Sequence, residues 1–186
     1  MMLTLAQLQD IMPHAGRRAL IFIHPLNSAM GLDGIDTAVR VAAFLSQIAH
    51  ESGELRYVRE LASGEAYEGR KDLGNTQPGD GPRFRGRGLI QVTGRHWYQR
   101  ATDDLGVPFV HNPALMELPV HAARVSTWWW RVNGVNALAE TLDIRRITRR
   151  VNGGYNGLES RRAYYETACR VLGVRLPPAA PRTAGA

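Results

Sequence analysis

The chain has 186 residues, of which 44% are hydrophobic and 22% charged, so a disordered chain is excluded and one folded domain is expected. The net charge of +6 favours an anionic partner, and the single cysteine, Cys169, excludes an internal disulfide or a cysteine metal cluster. No apolar run approaches the roughly 20 residues of a membrane helix, and the first residues lack a signal-peptide pattern, so we expect a soluble protein made in a reducing cytoplasm.

Apolar residues at spacings of three and four predict a mainly α fold. The helices are predicted over 3–12, 36–51, 95–105, 119–132, 143–151 and 158–172. Pro13 should end the first helix, and a loop containing Gly31 and Gly34 should precede the second. Asp36 is the expected N-cap of that second helix, and Ser52 is expected to begin its stop.

A glycine-rich segment, residues 64–94, separates the helices. Its eight glycines and two prolines predict a long irregular loop, with a short hairpin around 83–92. Loops of this length in a small domain are usually functional. We therefore predict a single domain over 1–175 and a flexible proline-containing tail over 176–186.

The positive charge lies in the last third of the chain. Residues 1–120 hold 12 basic and 13 acidic side chains, whereas residues 121–186 hold 11 basic and 4 acidic ones. All the basic residues except Lys71 are arginines, whose planar forks bind phosphates and carboxylates. Nucleic acid, an anionic membrane and a bacterial cell-wall polymer all fit this charge.

Two glutamates are candidates for acid and base catalysis. Glu51 shares a helical stripe with Phe44 and Ile48 in the last turn of its helix, so burial and the helix dipole should keep its carboxyl protonated. Glu60 follows Arg56 and Arg59, whose charges should favour its ionised form where their guanidinium groups come near it. The break at Ser52 would let the two approach to about 6.5–9.5 Å, as in inverting glycosidases.

Other interpretations of these residues are available. Glu54, Glu65 and Glu68 are carboxyls of the same type nearby, and most glutamates are solvated surface charges. A zinc-protease helix starting at His50 would need a second histidine at position 54, so no metal site is predicted. The arginines, glycines and phenylalanine of 83–88 could mark a nucleic-acid-binding segment, but one such motif is weak evidence.

Several motifs in register resemble glycoside hydrolase family 19, the chitinase-like family, and particularly its bacteriophage endolysin branch. The matching stretches are Gln47–Gly53, Tyr67–Arg70, Leu73–Gly81, Arg85–Gly94 and Ile147–Gly154. The resemblance as a whole covers about residues 38 to 172, and its motifs follow one another in unchanged order. The resemblance implies a lysozyme-like, two-lobed helical domain with the glycine-rich segment beside the cleft.

The resemblance also implies roles for individual residues. Glu51 would be the general acid and Glu60 the general base of an inverting hydrolysis that needs no metal or cofactor. The residues implied in substrate binding are Tyr67, Gln91, Thr93, Asn152 and Arg161. Of these, Gln91 would bind sugar, Thr93 would hold the nucleophilic water, and Asn152 would hydrogen-bond the substrate. Tyr67 would line the cleft, and Arg161 would stand behind the carboxylates.

One residue departs from the family pattern, and one interval favours a substrate. Trp97 stands where many relatives have asparagine, so a polar contact to sugar is lost or replaced by stacking. The short interval between Glu51 and Glu60 resembles the endolysin form, so the expected substrate is peptidoglycan, with chitin as the alternative. A non-catalytic basic module that binds anionic polymer or cell wall is the rival from another class.

These expectations extend to partners and place of action. The basic last third is expected to contact the anionic bacterial envelope, with no specific nucleic-acid partner and a monomeric state. The protein would accumulate in the host bacterial cytoplasm and reach the periplasm or wall through a holin pore.

Overall fold

A computed structural model describes residues 1–177, and within these residues the fold is mainly α, as predicted. Nine α-helices are formed: α1 Leu5–Ile11, α2 Arg17–Leu32, α3 Ala38–Glu51, α4 Asp80–Arg83, α5 Arg95–Leu105, α6 Pro119–Val132, α7 Val135–Ala139, α8 Ile144–Asn152 and α9 Leu158–Leu172. Three short 3-10 helices lie at Glu65–Tyr67, Lys71–Leu73 and Pro113–Glu117. No helix in this part of the chain is long and apolar enough to cross a membrane.

Helix α3 is the central helix of the fold and carries the first candidate carboxyl. Its N-cap is Thr37, whose hydroxyl accepts from the Arg40 amide, so the predicted cap at Asp36 is wrong by one residue. The apolar stripe, including Phe44 and Ile48, is fully buried, and α3 packs mainly on α9. The helix stops at Ser52 as predicted, so Glu51 is held at its very end.

Helix α2 occupies residues that the sequence analysis left without a helix. It has 16 residues, includes Pro25, and packs against α6. Phe22, Leu26 and Ala29 are buried at spacings of four and three, the signal that should have revealed it. Asp33 closes the helix and accepts hydrogen bonds from Arg131 and two other α6 side chains.

The glycine-rich segment is irregular, as predicted, but contains α4 and two of the 3-10 helices. The predicted hairpin is reduced to isolated bridges, one between Arg87 and Val92 and one between Arg59 and Arg87. The pairing does not extend into a ladder because the adjacent backbone groups bond to another segment. The Gly88 amide donates to the Val58 carbonyl at 3.0 Å, and the Gly86 carbonyl accepts from the Glu60 amide at 2.9 Å. The correct description is therefore a folded loop with a single hairpin-like bridge.

Carboxylates hold the glycine-rich segment in shape. Glu68 accepts hydrogen bonds from the backbone amides of Gly79 and Gly81, each at 2.7 Å. Asp80 is buried and accepts from two backbone amides and from Arg95, whose Nε lies 2.9 Å away. The segment therefore presents a fixed surface to the neighbouring cleft. The predicted tail, 176–186, lies outside the described residues from position 178 onward.

Candidate active site

A cleft of about 340 Å³ brings the two candidate carboxyls together. Its lining residues are Glu51, Tyr57, Arg59, Glu60, Leu61, Ala62 and Gln91. Glu51 comes from the end of α3, Glu60 from the connection after it, and Gln91 from the end of the glycine-rich segment. The turn that begins at Ser52 thus places two residues nine apart in sequence on one concave surface, as the sequence analysis expected.

Glu51 is paired with a buried arginine. Arg161, on α9, is 1% exposed, and its Nη2 donates to Glu51 Oε1 at 2.5 Å. The same guanidinium donates to Gln47 Oε1 at 2.7 Å and to the Asn156 carbonyl at 3.2 Å. The prediction that Glu51 is protonated rested on burial and the helix dipole, without the charge of Arg161. The arginine fixes one carboxyl oxygen and leaves the other available to the cleft.

Glu60 is held by neutral donors. The Tyr67 hydroxyl donates to its Oε1 at 2.9 Å, and the Gly86 amide donates to its Oε2 at 3.1 Å. Hydrogen bonds to both oxygens fix the orientation of the Glu60 carboxyl group. Burial raises the pKa of Tyr67, and the hydrogen bond to Glu60 raises it further, so the phenol keeps its proton.

The arginines that flank Glu60 in sequence do not contact it, which corrects the predicted reason for its ionisation. Arg59 points to Glu117, with Nη1 3.6 Å from Oε2. Arg56 lies over the Tyr57 ring, 5.1 Å from its centroid. The charge next to Glu60 in sequence is therefore directed elsewhere.

Gln91 and Thr93 lie at a turn near the end of the glycine-rich segment. Gln91 has φ of 58°, a left-handed conformation that non-glycine residues seldom adopt, in the turn before Val92. Its Nε2 donates to the Gly88 carbonyl at 3.1 Å, and the Thr93 hydroxyl donates to the Gln91 carbonyl at 2.9 Å. Gln91 lines the cleft, whereas Thr93 supports the turn from behind.

Gly86 allows the backbone to approach both polar side chains of this wall. A Cβ at this position would lie 2.8 Å from Gln91 Oε1 and 3.2 Å from Glu60 Oε2. No side chain fits there without displacing one of them. The glycine is therefore required for the hydrogen bond that positions Glu60.

Four of the five residues implied in substrate binding are not among the lining residues of the cleft, and neither is Trp97; the four are Tyr67, Thr93, Asn152 and Arg161. Asn152 ends α8 and is exposed. Trp97 is half-buried, with its ring centroid 6.0 Å from that of Trp128 and 6.1 Å from that of Trp129. Trp97 therefore packs on α6, and its position gives no sign of the sugar stacking that was considered for it.

Glu54, which the sequence analysis grouped with surface glutamates, is buried. It accepts hydrogen bonds from the Tyr164 hydroxyl at 2.8 Å and from the backbone amide of His14 at 2.5 Å, and it faces the His14 ring. Burial would raise the pKa of Glu54, but the hydrogen bonds from His14 and Tyr164 outweigh it and hold the pKa below its ordinary value. This carboxylate joins three segments behind the cleft.

Two residues of the site were missed by sequence reasoning. Gln47 precedes Glu51 by one helical turn, and that spacing alone could have marked it as a neighbour. Tyr57 lines the cleft and has no comparable sequence signal.

His50 belongs to the scaffold. Its Nδ1 lies 3.0 Å from the Ser160 hydroxyl, and burial lowers its pKa, with the positive charge of Arg161 adding to the effect. Within residues 1–177 no group of three or more side chains is arranged to hold a metal ion.

The arginine motif at 83–88 stabilises the loop. Arg83 donates to the carbonyls of Val110 and His111, and the buried Arg87 donates to Glu117 at 2.8 Å. Because these guanidiniums are engaged within the fold, the motif does not support the nucleic-acid interpretation.

Comparison with known proteins finds relatives of one kind. The chain is 27% identical to a glycosyl hydrolase family 19 domain-containing protein of Haemophilus influenzae, over 89% of this chain and 94% of that protein. It is 33% identical to an endochitinase of Arabidopsis thaliana, over 82% of this chain and 55% of that protein. The chain thus spans about half the length of the plant endochitinases it matches. No protein-family model matches it.

Solved structures share the fold. Chitinase C from Streptomyces griseus superposes with a TM-score of 0.76 at 24% identity, covering 94% of this chain and 78% of that one. A bacterial family 19 chitinase gives a TM-score of 0.78 at 23% identity, covering 94% and 97%. The similarity extends over nearly the whole chain.

Proposed function

Because the chain belongs to glycoside hydrolase family 19, we propose that it is a glycosidase of the endolysin type, which hydrolyses β-1,4 bonds in peptidoglycan glycan strands with inversion. The observation that carries the proposal is the pairing of Glu51 and Glu60 on one cleft, each held by a different kind of partner. Two carboxyl groups in unlike environments are what an acid and base mechanism requires.

Glu51 acts as the general acid. Arg161 fixes Oε1, so Oε2 is the oxygen that gives a proton to the leaving sugar. The Gln47 amide oxygen accepts a second hydrogen bond from the Arg161 guanidinium. This contact keeps Arg161 in place when Glu51 changes its protonation state.

Glu60 acts as the general base. The donors Tyr67 and Gly86 orient its carboxylate, which accepts a proton from a water on the opposite face of the sugar. Attack by that water breaks the glycosidic bond as Glu51 protonates the leaving oxygen, and the anomeric configuration inverts. Gln91 binds sugar on the wall of the cleft, Thr93 holds the turn that presents it, and Asn152 reaches substrate beyond the cleft lining.

Chitin is the second candidate substrate. The Arabidopsis and Streptomyces relatives are chitinases by name, and a chain with their fold could cleave bonds beside N-acetylglucosamine in either polymer. The short interval between Glu51 and Glu60 favours peptidoglycan. With peptidoglycan as its substrate, an endolysin-type protein would accumulate in the host bacterial cytoplasm before its release to the wall. Hydrolysis of the wall would then lead to lysis.

The first experiment compares wild type with Glu51→Gln and Glu60→Gln on Gram-negative cells stripped of their outer membrane. General acid and base catalysis each contribute about 10²- to 10⁴-fold, so we expect clearing by wild type and a loss of that size in both variants. Glu65→Gln, on an exposed residue outside the cleft lining, is the matched control. Mass spectrometry of the products should find muropeptides with new reducing ends, and NMR should find the inverted anomer first.

The outcomes separate the candidates. Cleavage of chitin oligomers without clearing of cells would favour the chitinase. Full activity in Glu51→Gln on either polymer would refute the acid role, and no hydrolysis of either polymer by wild type would favour the binding module.

A further inference from the structure

Helix α8 carries four exposed arginines, and three of them line a groove of about 410 Å³. The groove residues are Leu138, Arg146, Arg149 and Arg150. Arg145, the fourth arginine, lies over the exposed ring of Tyr155, 4.8 Å from its centroid. The helix thus presents one continuous basic face, which we name the α8 basic face, beside a small apolar surface at Leu138.

The guanidiniums of this face are not neutralised by the protein. In residues 1–177 none of the four arginines has an ion-pair partner. The nearest acidic side chains in sequence are engaged elsewhere. Asp143 caps α8 by accepting from two of its backbone amides, and Glu140 pairs with Arg40 at 2.7 Å. The face therefore offers unpaired donors to an external anion.

The α8 basic face leads to the catalytic cleft. Arg149 and Asn152 stand three apart on α8, so their side chains are neighbours on one side of the helix. The turn after Asn152 is tied to Glu51 through Arg161, which donates to the Asn156 carbonyl and to the Glu51 carboxylate. A polymer that occupies the cleft and reaches Asn152 would therefore lie one turn of α8 away from Arg149.

We propose that the α8 basic face binds the stem-peptide carboxylates of peptidoglycan and thereby selects this polymer over neutral chitin. The inference rests on the proposed function, because it assumes a glycan in the cleft. Guanidinium groups match carboxylates in a planar, two-bond geometry, and Leu138 offers an apolar contact to the small aliphatic side chains of a stem peptide. Chitin carries no such groups, so the groove adds nothing to its binding.

The test uses purified sacculi, sacculi whose carboxylates have been amidated with methylamine, and soluble chitin oligomers. Arg149→Gln/Arg150→Gln removes two charges from the face. Arg17→Gln/Arg170→Gln, at two exposed arginines outside α8, removes the same charge and serves as the control. Thermal melting confirms that both variants fold.

With native sacculi we expect the α8 variant to raise KM about fivefold to tenfold without changing kcat, and the control to have a smaller effect. Amidation should raise the wild-type KM by a similar factor and leave the α8 variant unaffected, since both changes remove the same interaction. Hydrolysis of chitin oligomers, where it occurs, should be equal in wild type and variant. The difference between wild type and variant should shrink with added salt.

Two results would overturn the proposal. One is an α8 variant whose KM still rises on amidation. The other is an α8 variant with wild-type kinetics on native sacculi. If that variant also no longer sediments with phosphatidylglycerol vesicles, the face is assigned to lipid phosphate. If wild type hydrolyses none of the three substrates, the proposed function itself has failed, and that outcome is distinct from either of these.

Discussion

In the helical body, apolar side chains on α3 and α6 hold the structure together, whereas in the glycine-rich segment carboxylates do so. Phe44 and Trp130 are fully buried and meet edge to face with ring centroids 5.3 Å apart. In the segment, Glu68 and Asp80 accept hydrogen bonds from backbone amides that have no strand or helix partner. Between residues 64 and 83 no apolar side chain belongs to the buried core, so this part of the segment acquires its order from directional polar contacts.

The comparison explains why the two candidate catalytic carboxyls differ. Glu51 belongs to the body and depends on helix packing to meet Arg161. Glu60 depends on the segment, because its donors Gly86 and Tyr67 both come from it. The cleft therefore lies between the helical body and the glycine-rich segment, which are held together by different interactions. Each region can be disturbed separately.

The largest effect is expected from Phe44→Ala, which breaks the body. Removal of a fully buried phenylalanine leaves a cavity and should cost about 4 kcal/mol in the free energy of unfolding. Urea unfolding followed by circular dichroism measures it, with Leu20→Ala, at a residue 57% exposed, as the control. Activity per folded molecule should change little, and a cost under about 1 kcal/mol would contradict the assignment of Phe44 to the core.

Asp80→Ala should have a smaller effect on unfolding and a larger one on function. The substitution leaves two backbone amides and Arg95 without their acceptor. We expect it to lower the stability of the folded glycine-rich segment by about 3 kcal/mol. Hydrogen exchange should accelerate in residues 64–94 while α3 stays protected, and hydrolysis should fall. Asp72→Ala, which removes an exposed carboxylate of the same segment, should change neither. Equal acceleration in α3 would show that the two regions unfold together.

The smallest effect is one of pH. The hydrogen bond from Arg95 outweighs burial and, with the Gln77 and Thr76 amides, lowers the pKa of Asp80. A carboxyl whose pKa is lower in the folded state stabilises it above the unfolded value of about 4, and that stabilisation is lost as pH falls through the folded pKa. The segment should open before the helices as pH falls below about 4, and Asp80→Asn should flatten this dependence. Loss of hydrogen-exchange protection at the same pH in the segment and in the helices would contradict the prediction that the segment opens first.

Local signals were sufficient to predict several helices from the sequence. The bounds of α5, α6 and α9 match the predicted ones, because glycines and a proline mark their ends in the sequence itself. Helix α2 was missed because Pro25 interrupts its pattern and because Gly31, which lies in its last turn, suggested a loop.

The partners in the site were harder to predict than its members. Glu51 and Glu60 were identified from spacing and resemblance, but Arg161 meets Glu51 across 110 residues of sequence. The Gly86 amide that holds Glu60 carries no sequence signal as a donor, because every residue except proline has an N–H group. Glu54 was taken as a surface charge because its burial depends on His14 and Tyr164, which are remote in sequence.

The contact between Arg161 and Glu51 also orders events during synthesis. The ribosome completes α3, Glu60 and the glycine-rich segment well before it adds α9, so a nascent chain holds both carboxyls long before it holds the guanidinium. Until then the oxygen that Arg161 fixes is free to turn, and the cleft has one wall without its support. The cleft therefore has the complete set of partners for its carboxyl groups only when the last described helix, α9, has docked.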